Sequence, residues 1–351
     1  MKNIRFMFII LGALLIVALY FLKQKGHVEV DSGHRMVMGT FARVVVVAEN
    51  TDTANTCIEA AFAEIYKVDE LMSDFKSDSE ISEVNRDSFN RAVKVSNWTY
   101  EVLQRSIEFS KLSDGAFDIT VGPLVDLFRK AKKNETAPSE EEIAQAKAKV
   151  GFEKLELNDL NKTVRFTVEG MRLDLGGIAK GYAVDKAFEA AQKAGAIGAM
   201  VDIGGNIRCF GASPRGKDNW LIGLQDPKAV KNPDLQAPGL SGKDTLLTLK
   251  LKDGAAATSG DYQQFVIIKG KSYSHILNPH TGTNAEGLSS VTIITDNATD
   301  ADALSTAVNV IGVEKGLALI EKLPNTEAIL LTSQPEYKLI KTTGAEKYIE
   351  R

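Results

Sequence analysis

Asp302 and Thr306 stand four residues apart in the stretch "ATDADALSTAVNVIG", residues 298–312. On a helix this spacing stacks a carboxylate and a hydroxyl one turn apart, two hard oxygen donors able to share one divalent cation such as Mg²⁺. Thr299 reads as the cap of that helix, and Ala303, Ala307 and Val310 as the side that must be buried. A solvated first-turn aspartate favoured by the helix dipole fits the same pattern, with Thr306 only filling space. The pair therefore needs company before it carries chemistry.

Four other stretches gather glycine, aspartate and threonine at the ends of predicted elements: "DGAFDITVGPL" (114–124), "DLGGIAKGYAVD" (174–185), "VDIGGNI" (201–207) and "TSGDYQQF" (258–265). None is a P-loop, and no G-x-G-x-x-G follows a strand, which disfavours the classical nucleotide-binding folds. Gly176, Gly177 and Gly181 lie before or within the start of a helix, where backbone N–H groups can face an anion such as a phosphate. An ordinary glycine turn between strand and helix satisfies those glycines equally well.

The elements that must position these residues are legible in part. "FARVVVVAE" (41–49) reads as a strand bounded by Gly39 and Asn50. From Thr53 to Met72 apolar residues recur at Ile58, Ala61, Phe62, Ile65, Val68 and Leu71, the spacing of an amphipathic helix on a sheet. A second helix is predicted over 99–115, stopped by Gly115. The charged stretch 130–151, with Pro138, reads as a surface insertion that resumes as a helix capped by Ser139 and Glu142. Beyond Phe152, strands such as "KTVRFTV" and "LLTLKLK" alternate with helices such as "AVDKAFEAAQKAG". With no long linker and no fixed-period repeat, the expectation is one α+β domain over residues 28–351, compact or bilobed.

A chain of 351 residues, 44% hydrophobic and 25% charged, can bury a substantial core. Its net charge of -4 and the lack of any basic block exclude nucleic acid as a predicted partner. The first residues differ in kind: Lys2 and Arg5 precede an apolar run from Phe6 to Leu22. No small-x-small cleavage site follows it, so residues 1–27 read as an uncleaved signal anchor or signal peptide, with the body exported. A buried N-terminal core helix would show a polar face, and this run has none. Cys57 and Cys209 are the two cysteines; one bridge or two free thiols are both open.

Seven stretches in one order, "MGT" (38–40), "DGAFDITVGPL", "DLGGIAKGYAVD", "VDIGGNI", "TSGDY", "SHILNPHTG" (274–282) and "ATDADALSTA", resemble the ApbE family, the FAD:protein FMN transferases. The resemblance spans roughly residues 33–345. It implies an α+β, T-fold-like domain that binds FAD and Mg²⁺ in a cleft, transfers FMN to a Thr or Ser hydroxyl of an acceptor protein and releases AMP. By the same resemblance Asp302, Thr306 and the carbonyl of Ala179 would hold the metal, with Ser305 close by. Met38, Phe75, Ala116, Phe117, Asp118, Gly176, Tyr182 and Ile276 would hold the flavin and adenine. His275 would be the base that takes the acceptor's proton, a task suited to an imidazole at neutral pH. Asp118 would share that task or fix an adenine or ribose group.

The implied partners are exported flavoprotein subunits, such as those of the Na⁺-translocating NADH:quinone reductase or Rnf-type complexes. The implied place is the periplasmic face of the inner membrane. Two positions depart from the common pattern: Asn278 stands where many members carry Asp, and Phe75 where an aromatic is often Tyr. Phe75 keeps a ring for stacking but lacks the hydroxyl, and core packing is its other reading. An FAD pyrophosphatase and a non-catalytic exported FAD-binding protein are the competing expectations. Asp302 is expected in a surface cleft, so that its loss would spare the fold.

Overall fold

The computed structural model describes residues 26–227, 244–260, 265–268, 271–333 and 335–350. The apolar leader read as an anchor, and residues 261–264 of the "TSGDYQQF" stretch, lie outside them. Among the described residues no helix is long and apolar enough to cross a membrane.

Strands β1 (Val28–Val37) and β2 (Thr40–Ala48) form a hairpin. Both turn residues, Met38 and Gly39, have positive φ, 51° and 70°, the handedness that matches strand twist in a two-residue loop. Helix α1 (Thr51–Met72) follows, its first turn capped by Asn50, whose side chain accepts the Thr53 N–H. Its buried residues include Ile58, Ala61, Phe62, Ile65 and Val68, the stripe that the spacing predicts.

A lobe is then inserted. It contains α2 (Glu80–Asp87), β3 (Val93–Lys94), α3 (Asn97–Leu112), α4 (Gly122–Asn134), α5 (Glu140–Lys147), β4 (Leu155–Asn158) and β5 (Thr163–Phe166), with a three-stranded sheet ordered β3-β5-β4. Residues 130–134 thus finish α4 instead of opening an insertion; α4 stops where Glu135 turns left-handed, φ 51°. The capping box of Ser139 and Glu142 is present.

Helix α6 (Ala179–Lys193) leads back to β6 (Gly198–Ile203) and β7 (Asn206–Gly211). A hairpin of β8 (Trp220–Gln225) and β9 (Thr245–Leu251) comes next, then β10 (Gly254–Gly260) and a hairpin of β11 (Phe265–Ile268) and β12 (Lys271–Ser274). The chain ends with β13 (Leu288–Thr295), α7 (Ala298–Ile311), α8 (Val313–Ile320), β14 (Glu327–Thr332) and β15 (Leu339–Lys341).

Eight strands make one antiparallel sheet in the order β1-β2-β6-β7-β10-β13-β14-β15, which is also chain order. Its halves share a plan of two strands, two helices, two strands: β1β2–α1–α6–β6β7, then β10β13–α7–α8–β14β15. The sequence shows no period because residues 73–178 are inserted between α1 and α6.

Both faces of the sheet are covered, which explains the unbroken "VVVV" of β2. Val44 and Val46 pack in the core under α1, α6 and α7, while Val45 and Val47 pack with Trp220, Ile222 and Leu249 of the β8–β9 hairpin. The same division settles the cysteines. Cys57 sits in the helix-side core and Cys209 in the hairpin-side core, both fully buried and free. Burial raises both thiols above the usual range, Cys209 to about 12. Neither is expected to react with a thiol reagent in the native protein, and both should react in denaturant; a disulfide found by mass spectrometry would contradict this layering.

Candidate functional site

Strand register gathers the motifs at one end of the main sheet. The β1–β2 turn and the Gly204–Gly205 turn between β6 and β7 lie side by side, since Ala42 pairs with Ile203. A Cβ on Gly204 would lie 2.8 Å from Thr40 Oγ1, so "MGT" and "VDIGGNI" are in contact. Asn206 pairs with Ala257, which carries Thr258 and Ser259 of β10 to the same end, and Gly260 pairs with Ser290.

Over that end lie the start of α6 and, around Ser305 and Thr306, the middle of α7. Gly181 donates its N–H to Asp302 Oδ2 at 3.0 Å, and a Cβ there would lie 2.2 Å from the Ala298 carbonyl oxygen. Glycine is needed because the helices touch backbone to backbone. A Cβ on Gly177 would lie 3.0 Å from Thr306 Oγ1 and 3.3 Å from the Phe117 ring. Ala179 is therefore bracketed by two residues that touch Thr306 and Asp302. Ser305, fully buried, donates to the Asp302 carbonyl at 2.9 Å and shares a hydrogen with Ser259 Oγ at 2.8 Å; Ser259 also lies 3.4 Å from Thr306 Oγ1. Lys180 Nζ stands 3.8 Å from Asp302 Oδ1 and donates to the Gly176 carbonyl.

Two readings of α7 change. Asn297, not Thr299, is its cap, accepting the Asp300 N–H; Thr299 instead donates its hydroxyl to Asp185 on α6. Asp302 is buried, 4% exposed, and not in an open cleft. Burial pushes its carboxyl above the usual carboxylate range, opposed by the Lys180 ammonium and the Gly181 N–H. Ala303 and Ala307 are buried as the pattern requires, whereas Val310 is half-buried.

A second set of contacts links Phe75 to the glycine turn. The ring is 79% exposed, so it is no core residue, and the Arg129 guanidinium lies 4.6 Å from its centroid. Arg129 bridges Asp74 at 2.7 Å and Asp174 at 3.4 Å, and Asp174 Oδ1 accepts the Gly176 N–H. Burial and the neighbouring Asp74 charge raise the Asp174 carboxyl, opposed by Gly176, Arg129 and Lys180. The "DGAFDITVGPL" stretch runs beside this turn: Asp174 donates its N–H to the Ile119 carbonyl, and Val121 bridges Arg172 in parallel.

Ala116, Phe117 and Asp118 are all buried. Asp118 accepts from the Thr120 N–H, the Thr120 hydroxyl and the Phe152 N–H at 2.7–2.9 Å. Three donors already claim this carboxylate, which favours a loop-holding role over proton transfer. Asp118→Ala leaves those donors unpaired and should cost about 2–3 kcal/mol of stability, read by urea unfolding. An unchanged midpoint would return Asp118 to the list of bases.

Tyr182 is engaged on the protein side: its hydroxyl donates to Glu101 at 2.7 Å and its ring meets Trp98 edge-on. Met38 is half-buried against the helix-side core. His275 is exposed, between residues tied to the facing segment: Asn284 donates to the Ser274 carbonyl, and Ala285 to that of Ile276, itself buried. His280 lies against the other loop, its Cε1 3.3 Å from where a Gly115 Cβ would be.

The donors at the head of α7 fit a magnesium ion by their chemistry. Asp302, Thr306 and a main-chain carbonyl offer one carboxylate and otherwise neutral oxygens, and among the described residues the Gly181 N–H and the Lys180 ammonium 3.8 Å away balance the buried carboxylate. Among the described residues no group of three His, Cys, Asp or Glu could hold a metal. One carboxylate suits an ion whose remaining ligands come from a diphosphate. Lys180, Ser259 and Asp185 were not singled out by the sequence, though all three stand in motifs that were.

This fold and site define a mixed α+β protein whose oxygen donors gather where α6 meets α7. The ApbE family model matches residues 38–330, and the chain belongs to the ApbE family. An FAD:protein FMN transferase of Haemophilus influenzae is 33% identical over 294 residues, 81% of this chain and 82% of that protein. One from Treponema pallidum is 29% identical over 321 residues, covering 88% and 86%. Among solved structures, the ApbE protein of Thermotoga maritima superposes with a TM-score of 0.80 at 31% identity, over 93% of this chain and 100% of that one. The flavin transferase ApbE of Vibrio cholerae gives 0.75 at 27%, over 92% and 99%, and has also been solved with a histidine changed to glycine.

Proposed function

We propose that this protein transfers the FMN half of FAD onto a Thr or Ser hydroxyl of an acceptor protein, releasing AMP. The observation that supports the reading is the close approach of the start of α6 to α7: the Gly181 N–H on Asp302 Oδ2, and the turn at Gly177, just before α6, against Thr306 Oγ1. In the reaction the acceptor oxygen forms a bond to the FMN phosphorus, the diphosphate bridge to AMP breaks, and the hydroxyl proton leaves to a base. Magnesium bound by Asp302, Thr306 and Ala179 would neutralise the diphosphate charge. His275, exposed on a braced segment, would receive the proton. Phe75 offers one ring face to the flavin while Arg129 occupies the other. The leader would hold the body on the outer side of the cytoplasmic membrane, where exported respiratory flavoprotein subunits, including those of Na⁺-translocating NADH:quinone reductase and Rnf-type complexes, would be its acceptors.

The test is incubation with FAD and Mg²⁺, with and without a candidate acceptor. Transfer gives AMP only when the acceptor is present and adds the mass of FMN less one water to a threonine or serine. Fast conversion to FMN and AMP without acceptor would instead make the protein a hydrolase, and bound FAD with no AMP in any mixture would make it a storage protein.

A further inference from the structure

We infer that Asp185, backed by Arg208, is a positioning residue for the divalent cation, holding α7 in the register that lets Asp302 and Thr306 bind. The inference rests on the reading of those two residues as cation ligands. Asp185 lies on α6 and is buried, 7% exposed. Its Oδ1 accepts from the Ala298 N–H at 2.9 Å and from Arg208 Nη1 at 2.7 Å; its Oδ2 accepts from the Thr299 N–H at 2.9 Å and the Thr299 hydroxyl at 2.5 Å.

Ala298 and Thr299 are the first residues of α7, and Asp302 is one turn further along. One turn back along α6 from Asp185 is Gly181, which binds Asp302. The two helices are therefore fastened at two levels, 185 to 298/299 and 181 to 302. A slide of α7 by one residue, about 1.5 Å, breaks both.

Helix capping alone does not call for this arrangement. Asn297 already supplies a side-chain cap, and a neutral Ser or Asn would serve the remaining N–H groups. Here a charge pair of buried Asp185 and half-buried Arg208 spans three elements, with the Arg208 guanidinium 3.9 Å from the Phe188 ring centroid and its Nε buried without a hydrogen-bond partner among the described residues. A buried pair adds little net stability over an apolar replacement of the same shape; what it fixes here is geometry.

Mn²⁺ binding to the full chain, followed by electron paramagnetic resonance, separates the possibilities. Asp185→Asn is expected to weaken Mn²⁺ binding roughly 10–100-fold, the usual effect of losing a group that orients a ligand. Thr299→Val, which removes one of the four bonds, should give a smaller loss in the same direction. Val201→Ala, a core truncation on β6, should lower the melting temperature with Mn²⁺ affinity unchanged, because stability alone does not set the register. Wild-type affinity in Asp185→Asn, or an equal loss in Val201→Ala, overturns the positioning role. Should Asp185→Asn not fold, Thr299→Val decides by the same comparison. If Asp302→Ala itself binds Mn²⁺ like the wild type, the cation reading has failed, and the positioning role with it.

Discussion

Replacing Asp302 by alanine is expected to abolish AMP release from FAD at saturating Mg²⁺, a loss of roughly 10³-fold or more. The size follows from what the carboxylate would supply: the only charged donor of the proposed set, in a buried place where its attraction for a cation is little screened by water. Charge stabilisation worth about 4 kcal/mol corresponds to about three orders of magnitude in rate. The substitution does more than empty a ligand position, because it strips the Gly181 N–H of its acceptor. That donor's lost bond costs about 1–3 kcal/mol, offset in part because a buried charge is no longer desolvated. Circular dichroism should therefore show a folded protein with a lowered melting temperature. Turnover that survives with Mg²⁺ in excess would place the metal elsewhere.

For His275→Ala the expected fall in transfer rate is roughly 10²–10⁴, the span for a lost general base, with FAD affinity little changed. Ser274 and Ile276 are tied to Asn284 and Ala285, so the segment should keep its course without the imidazole. FAD binding followed by flavin fluorescence gives the affinity, and AMP release with acceptor gives the rate. A variant that loses both together has lost a binding residue, and one that loses neither has its base elsewhere.

Much of the frame could be read before any coordinates. The stripe of α1 follows from its i+3 and i+4 spacing, and β2 from a short unbroken apolar run between Gly39 and Asn50. The stacking of Asp302 and Thr306 needed only helical spacing. What stayed hidden depends on partners far away in sequence. Asn297 and Thr299 are both good caps by type; only the approach of α6 decides that Thr299 turns to Asp185. Tyr182 offers an aromatic ring to any reader, yet its direction is set by Trp98 and Glu101. Phe75 looks like a core residue by hydropathy, and Arg129 shows that it stands at the surface. Register across the sheet, which brings Thr40 to Gly204, and the packing of α7 on β10, which brings Ser305 to Ser259, leave no local mark in a sequence at all.

The doubled plan of the sheet has an evolutionary consequence. Gly181 belongs to the first half of the doubled plan and the acid and hydroxyl to the second, so neither half alone holds the proposed site. Gly181 and Asp302 face each other across that boundary, and a side chain gained at Gly181 is tolerated only if α7 withdraws. Relatives that keep the activity should therefore retain these two positions as a pair, and those that have lost it should be free to change both.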